Sequence, residues 1–168
     1  MKEIIGHGDI AKVLNKTDKD VLFFASGVSN SSETRESEYQ REKDLLLAQD
    51  RNQRLVYFGS LSIFYGDTRY TQHKKEMEQL VKDNFPKYCI VRLGNISWGD
   101  NPHTLINTLK NHLAEGEPLQ IQDVYRYVVE EEEFLHWINL IPDSFNCEMN
   151  VPGTRMKVAE IVKKYVLP

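Results

Sequence analysis

The chain has 168 residues, of which 40% are hydrophobic and 27% are charged, and its formal net charge is −4. This composition is typical of a soluble globular domain with its own core, and the absence of a basic cluster argues against nucleic acid as a partner. No apolar run reaches the length of a membrane-spanning helix, and the N-terminus lacks a signal-like segment. We therefore expect no membrane partner and a cytoplasmic location.

The chain opens with a short apolar run that ends at Ile5 and is followed by the sequence GHGDIA, residues 6–11. This sequence matches the G-x-G-x-x-A pattern, in which a strand turns through glycines into a helix. Such glycines let backbone N–H groups approach a pyrophosphate, although an ordinary strand-to-helix turn is an equally good interpretation. The carboxylate of Asp9 would repel a phosphate unless it points away from it.

A second apolar run, residues 21–25, predicts a buried strand, and a hydroxyl-rich loop follows it at residues 26–32. In open α/β sheets, ligands bind at the carboxyl ends of the strands, where this loop would lie. A helix is predicted over residues 36–49, with charged residues on one side and leucines on the other.

The stretch from Arg54 to Asn95 reads as strand, serine-bearing loop, helix and strand. The first strand ends near Gly59, and the helix is expected to begin near Asp67 or Thr68, because both residues favour the N-cap position. The second strand covers residues 88–93 and is expected to be parallel to the first.

Tyr70 and Lys74 lie four residues apart and so share one face of this helix. An ammonium group beside a phenol favours the phenolate, and a nearby serine hydroxyl can bind a substrate oxygen. This combination suits proton exchange with a substrate hydroxyl during hydride transfer. The spacing alone is weak evidence, since Tyr39 and Lys43 show it too, and a solvated helix face is the competing interpretation.

The remainder alternates between helices and short strands. We predict helices over residues 104–114, 134–141 and 155–166, and strands at 119–121, 125–129 and 147–151. The four glutamates at 130–133 are interpreted as a helix first turn rather than a metal site, because acidic residues are favoured there. Cys89 and Cys147 are interpreted as small buried residues rather than metal ligands or a disulfide.

In this order, the motifs resemble those of the extended short-chain dehydrogenase/reductases, in particular the nucleotide-sugar epimerases and dehydratases. The resemblance covers nearly the whole chain. It rests on GHGDIA, VLFFASG, RLVYFGSLSIFYGD, YTQHK with Glu78 four residues later, VRLGNISWG and NVPG.

The resemblance implies a three-layer α/β fold: a shortened, mostly parallel, Rossmann-like sheet of about five to six strands with helices on both faces. The whole chain, 1–168, would be one NAD(P)-binding domain with an abridged C-terminal substrate portion. NAD or NADP would be the cofactor and a nucleotide-linked sugar the substrate, with no metal. Tyr70, Lys74 and either Ser62 or Ser60 would be catalytic, and Asn95 would contact the substrate. The residues implied in cofactor binding are Gly6, His7, Gly8, Asp9, Ile10, Ala11, Ala25, Ser26, Gly27 and Lys74.

The sequence also departs from the family pattern. There is no room for the two strands that normally follow the glycine turn, so the acidic residue that normally holds the adenosine ribose is missing. The usual catalytic Ser/Thr position falls on Leu61, between two serines. A non-catalytic nucleotide- or sugar-binding module on the same scaffold is therefore the alternative function. An unrelated α/β protein with chance matches is a third.

The resemblance further implies a homodimer, because the family pairs the two helices that match residues 36–49 and 68–84 across a two-fold axis. We expect these helices to carry more apolar surface than the short sheet can cover.

Overall fold

The computed structural model describes all of residues 1–168 and contains two sheets. The larger sheet is formed by β1 (Glu3–Ile5), β2 (Leu22–Phe24), β3 (Leu55–Ser60), β4 (Tyr88–Leu93) and β7 (Cys147–Val151). All four strand pairs are parallel, and the strand order is β1-β2-β3-β4-β7. The predicted α/β class and the largely parallel sheet are therefore confirmed.

Two hydrophobic cores lie on opposite faces of this sheet, because successive side chains of a strand point in opposite directions. On one face, Phe23 and Val56 pack with α1 (Asp9–Leu14) and α5 (Glu131–Asn139). On the other face, Phe24 and Tyr57 pack against α2 (Glu36–Leu47) and α3 (Arg69–Asn84). The three-layer arrangement follows directly from this alternation.

β1 pairs directly with β2 and forms an edge of the sheet, as expected from the absence of two family strands. The chain steps across the sheet in one direction from β1 to β4, but α1 lies on the opposite face from α2 and α3. The first crossover therefore has the opposite hand to the next two. At least one of the three departs from the right-handed rule that governs almost all such connections.

The start of α3 is set by a reciprocal pair of threonines. The backbone N–H of Thr71 donates to Thr68 Oγ1 at 3.2 Å, and the backbone N–H of Thr68 donates to Thr71 Oγ1 at 2.9 Å. Thr68 is thus the N-cap, which confirms one of the two predicted positions.

The smaller sheet was not predicted. It contains β5 (Asn95–Ile96), β6 (Tyr125–Val129) and β8 (Thr154–Lys157), with β6 and β8 antiparallel. Residues 119–121 form no strand, so that prediction was wrong. The predicted helix over 155–166 was partly wrong, because its first residues belong to β8. Helix α6 (Val158–Ile161) begins directly after β8 and continues into a π-helical turn, Val162–Val166. α4 (Leu105–Ala114) was predicted to within one residue at its start.

The glutamate run behaves as predicted: Glu130 is the N-cap of α5 and the next three glutamates form its first turn. The two cysteines are free and face each other from paired positions of β4 and β7, with Cys89 fully buried and Cys147 half-buried. No helix of the chain has both the length and the apolar character needed to cross a membrane.

Candidate functional site

A cleft of about 1090 Å³ lies at the carboxyl ends of the parallel strands. It is bounded by the loops that follow β1, β2, β3 and β4, which is where ligands bind in open α/β sheets. The structure brings most of the predicted site residues together around this one cleft. Those that line it are His7, Gly8, Asp9, Ile10, Ala25, Ser26, Gly27, Ser60, Ser62, Tyr70, Lys74 and Asn95.

Two of the predicted residues stand behind the cleft wall. Gly6 has a backbone φ of +121°, and a Cβ atom there would lie 2.3 Å from the carbonyl oxygen of Ala25. Glycine is therefore needed for the tight contact between β1 and the end of β2. Ala11 is buried in the first turn of α1. Neither residue borders the cleft, so any role of these two residues is to shape the turn.

Tyr70 and Lys74 both point from α3 toward the cleft, as their four-residue spacing predicts. Lys74 Nζ lies 5.5 Å from the centroid of the Tyr70 ring. Lys74 is only 3% exposed, whereas Tyr70 is half-buried. The structure thus places a buried cation close to a half-buried phenol at the edge of the cleft.

Tyr39 and Lys43, the decoy pair with the same four-residue spacing, lie elsewhere. Tyr39 is buried and donates a hydrogen bond to the carbonyl of Glu33 at 2.7 Å. Lys43 forms an ion pair with Glu76 at 2.5 Å across the outer surface of α2 and α3. Neither residue borders the cleft, whereas Tyr70 and Lys74 both do.

The serine loop presents two hydroxyls to the cleft and hides the residue between them. Ser60 and Ser62 line the cleft, and their Oγ atoms lie 2.7 Å apart in a hydrogen bond. Ser60 also caps the short 3-10 turn, Leu61–Phe64, by accepting from the backbone N–H of Ser62. Leu61, at the family's usual catalytic position, is only 7% exposed and packs inward. Within this loop, the hydroxyls that border the cleft are thus those of the two neighbouring serines.

Asn95 borders the cleft from the start of β5, and its Nδ2 donates to the carbonyl of Tyr127 in β6 at 2.9 Å. The guanidinium groups of Arg41 and Arg126 also border the cleft. The sequence analysis missed both, because arginines in a charged helix and in a short strand carry no pattern of their own.

The most important residue that the sequence analysis missed is Glu42, which is fully buried in α2 behind Lys74. Its Oε1 accepts from Tyr57 Oη at 2.9 Å and lies 3.5 Å from Lys74 Nζ. Its Oε2 accepts from the backbone N–H of Val28 at 2.9 Å and lies 2.7 Å from His73 Nε2. Because a carboxylate only accepts hydrogen bonds, this pairing requires the proton of His73 on Nε2.

This arrangement keeps the carboxyl group of Glu42 ionised. Burial alone would raise its pKa, but the nearby Lys74 ammonium and the hydrogen bonds from His73 and Val28 outweigh burial and lower the pKa to about 2. For Lys74, burial alone would lower the pKa, yet the Glu42 carboxylate reverses the effect and the pKa lies above its ordinary value. Burial, together with the same carboxylate, raises the pKa of Tyr57.

A second buried ion pair supports the floor of the site. Arg92 in β4 donates from Nε and Nη2 to the two carboxylate oxygens of Glu78 at 2.7 and 2.8 Å. Glu78 is the residue four positions after Lys74, and a Cβ atom at Gly59 would come within 3.2 Å of its Oε1. The glycine at the end of β3 therefore leaves room for the glutamate that anchors the middle of α3.

Comparison with known proteins gives matches in structure but not in sequence. No protein-family model matches the chain, and no curated protein matches it. Among solved structures, WbmG of Bordetella bronchiseptica in complex with NAD and UDP is 14% identical with a TM-score of 0.68, over 88% of this chain and 56% of that one. The UDP-glucuronic acid 4-epimerase of Bacillus cereus, in complex with UDP-glucuronic acid and NAD, is 16% identical with a TM-score of 0.61. The match covers 92% of this chain and 60% of that one. The dTDP-glucose 4,6-dehydratase of Bacillus anthracis, in complex with NAD, is 14% identical with a TM-score of 0.64. The match covers 92% of this chain and 59% of that one.

These similarities confirm the fold expected from the motif resemblance, that of the nucleotide-sugar epimerases and dehydratases. The chain spans only 56–60% of the length of these three structures.

Proposed function

We propose that this chain is an NAD(P)-dependent oxidoreductase or epimerase that acts on a nucleotide-linked sugar. The observation that carries the proposal is the shared cleft: Tyr70, Lys74, Ser60 and Ser62 border the same space as the glycine turn at Gly8. Residues 1–168 would act together as one cofactor-binding domain. The solved structures with this fold support the choice of ligands, since the three described above contain NAD and two of them contain UDP or a UDP-sugar.

The residues of the cleft fit the nicotinamide half of a dinucleotide. Gly8 borders the cleft, and a Cβ atom there would meet no other atom within 4 Å, so the turn is open to a ligand. His7, Gly8 and Ile10 would line the pyrophosphate, the stretch from Ala25 to Gly27 would line the ribose, and Lys74 would donate to the ribose hydroxyls. When bound, the nicotinamide ring supplies the hydride acceptor or donor.

Tyr70 would exchange a proton with the substrate hydroxyl, and Lys74 would favour the phenolate form of Tyr70 through its charge. Ser62 or Ser60 would donate a hydrogen bond to the substrate oxygen as its charge changes. Asn95 and the guanidinium of Arg126 would contact the nucleotide portion of the substrate from the β5–β6 side. Arginine suits this position because its planar group binds phosphate through two parallel hydrogen bonds.

The alternative is a binding module for nucleotides or sugars without catalysis, and two observations favour it. β1 is an edge strand, so there is no neighbouring strand whose acidic residue could hold the adenosine ribose. Leu61 stands buried at the position where the family has its hydroxyl. Both functions use the same cleft, and they differ in whether Tyr70 transfers a proton.

Calorimetric titration with NAD and NADP is the test of binding. We expect weak affinity with little preference, because losing one charged hydrogen bond to the ribose costs about 1.5–3 kcal/mol, roughly tenfold to hundredfold in affinity. Substitution Lys74→Ala should abolish binding, and Lys43→Ala, the matched decoy, should leave it unchanged. Tight binding of one dinucleotide with rejection of the other would contradict the proposed mode, as would equal effects of the two substitutions.

Turnover separates the two functions. Incubation with UDP-sugars and either dinucleotide, followed by chromatography of the sugars, should reveal an epimerised, dehydrated or oxidised product. Dinucleotide and UDP-sugar binding without any product would favour the binding module.

We also propose a homodimer through α2 and α3, as the resemblance implies. The expectation of uncovered apolar surface on these helices was wrong: Leu46, Met77 and Val81 are buried against the sheet, so the short sheet does cover them. The outer surface instead carries ion pairs of Lys43 with Glu76 and of Arg69 with Glu36. A dimer on this surface should weaken as the salt concentration rises. Sedimentation that shows only monomer at tens of micromolar protein in low salt would contradict it.

A further inference from the structure

Glu42 is a buried charge that the proposed chemistry leaves unused, and it touches the lysine on which that chemistry depends. The groups that face Lys74 come from three elements: Glu42 and Tyr39 from α2, Tyr57 from β3, and Tyr70 from α3. Glu42 is the one carboxylate among them. Gly27 packs closely against this pair, since a Cβ atom there would lie 2.9 Å from Lys74 Nζ and 3.0 Å from Glu42 Oε1.

We propose that Glu42 is a positioning residue for the Tyr70–Lys74 pair: its carboxylate holds Lys74 as an ammonium ion and fixes its place at the floor of the cleft. This inference rests on the proposed function for its consequence, but the state of Lys74 can be measured without any ligand. A lysine as buried as Lys74 tends to lose its proton in the absence of a counter-charge, and a neutral amine would no longer favour the Tyr70 phenolate.

The carboxylate is itself held so firmly that it can act as a fixed counter-charge. Three donors besides Lys74 surround it: the phenol of Tyr57, the imidazole of His73 and the backbone N–H of Val28. The His73 ring packs against Tyr39 at a centroid distance of 4.5 Å, and its Nδ1 is buried without a hydrogen-bond partner. His73 thus has a single polar contact, the one to Glu42, and this contact fixes the orientation of the carboxylate.

Buried ion pairs contribute little to stability compared with well-packed apolar side chains, so stability alone is a weak reason to bury Glu42 beside Lys74. A surface ion pair on the same two helices provides the comparison. Glu76 pairs with Lys43 between α2 and α3, but it is 44% exposed and faces away from the cleft. Replacing Glu76 changes the charge near α3 without removing the counter-charge of Lys74.

The test is an NMR titration of lysines labelled with ¹³C at Cε, with the Lys74 signal assigned by its loss in Lys74→Met. In the wild type, Lys74 should remain charged beyond its ordinary pKa of 10.5. In Glu42→Gln, its titration midpoint should fall below 10.5, and in Glu76→Gln it should stay as in the wild type. A wild-type midpoint below 10.5, or equal midpoints in the wild type and Glu42→Gln, would overturn the proposal.

If Glu42→Gln does not fold, a wild-type Lys74 midpoint below 10.5 would still overturn the proposal, and Tyr57→Phe provides a second variant. Tyr57→Phe removes a donor but keeps the carboxylate, so Lys74 should remain charged as in the wild type. A midpoint below 10.5 in Tyr57→Phe would show that the carboxylate does not hold the charge, and would count against the proposal.

Dinucleotide affinity measured against pH connects the inference to function. For Glu42→Gln, affinity should fall by at least about tenfold between about pH 7 and pH 10, following the titration of Lys74, while the wild type and Glu76→Gln lose much less. A parallel loss in all three proteins would overturn the positioning role. If the wild type binds neither dinucleotide, the proposed function fails, whereas the NMR titration still decides the role of Glu42.

Discussion

The carboxylate of Asp9 accepts hydrogen bonds from the backbone N–H groups of Asp100, at 3.2 Å, and Asn101, at 2.9 Å. It therefore ties the first turn of α1 to the loop that follows β5. Trp98 strengthens the connection by donating from Nε1 to the carbonyl of Asp9 at 3.3 Å. From the sequence, Asp9 was expected to repel a phosphate unless its carboxylate pointed away. In the structure, this carboxylate is hydrogen-bonded to two backbone N–H groups.

Substitution Asp9→Ala should destabilise the protein, because it leaves two partly buried backbone N–H groups without their acceptor. We expect the free energy of unfolding to fall by about 1–3 kcal/mol, measured by urea denaturation. Asp100→Ala is the matched control, since that side chain is 86% exposed. Equal losses in the two variants would mean that the Asp9 hydrogen bonds do not hold the loop.

Substitution Tyr70→Phe should reduce turnover while leaving dinucleotide affinity unchanged, because it removes the hydroxyl that would exchange the proton and keeps the aromatic ring. The rate should fall by a factor of roughly 10²–10⁴, the usual contribution of a general acid or base. The measurement is a steady-state rate with a calorimetric affinity on the same preparation. Tyr39→Phe, at the decoy position, should alter stability but not the chemical step. A Tyr70→Phe enzyme with full activity would exclude Tyr70 as the proton donor.

Substitution Arg92→Met should be strongly destabilising, because it leaves the carboxylate of Glu78 buried without its partner. The expected loss is about 3–5 kcal/mol in the free energy of unfolding, measured by denaturant titration. The double variant Arg92→Met with Glu78→Leu should recover most of it, since both charges are then gone. Lys82→Met, which removes a more exposed partner of Glu148, should cost less than about 1 kcal/mol. A double variant no more stable than the single one would show that packing, rather than the unpaired charge, causes the loss.

The buried carboxylate of Glu42 should make stability fall in acid. Its pKa is lowered from 4.5 to about 2 in the folded protein. The ionised carboxylate therefore contributes fully to the free energy of unfolding above pH 4.5, the pKa in the unfolded chain, and this contribution is lost as the pH falls toward 2. The stability difference between the wild type and Glu42→Gln should therefore shrink by roughly 3 kcal/mol between about pH 6 and pH 2.

Chemical denaturation at a series of pH values measures this difference. Other carboxylates with lowered pKa values, such as Glu36 and Glu148, are common to both proteins and cancel in the comparison. Glu76→Gln is the control, and its difference from the wild type should change by less than about 1 kcal/mol because the pair is exposed. A constant gap between the wild type and Glu42→Gln would mean that Glu42 is not an ionised buried group.

Most of the large sheet could be predicted from the sequence, because β2, β3 and β4 are largely apolar runs and β7 alternates apolar with polar residues. The short antiparallel strand β8 could not, since Thr154–Lys157 is largely exposed and has no apolar alternation. Its position is set by pairing with β6, a contact between residues about 30 positions apart. The order of motifs along the chain, rather than any one of them, was sufficient to indicate the fold.

The cleft residues could be predicted in part. Residues in turns after strands, such as Gly8 and Ser62, were identified because a strand end fixes where they lie. Glu42 was hidden among the charged residues of α2, although one signal was present: Tyr39, Glu42 and Leu46 follow the spacing of a buried helical stripe. A single charged residue within such a stripe is the pattern that would have indicated a buried carboxylate.

The order of the strands in the large sheet has a consequence for how the chain folds during synthesis. β1, β2, β3 and β4 lie side by side in the order in which they leave the ribosome, so each new strand can dock on the one made just before it. Such local pairing keeps the loops to be closed short, which favours rapid assembly. Only β7 must wait for the long segment after β4, so it should be the last strand to join the large sheet, and until then the edge of β4 stays open.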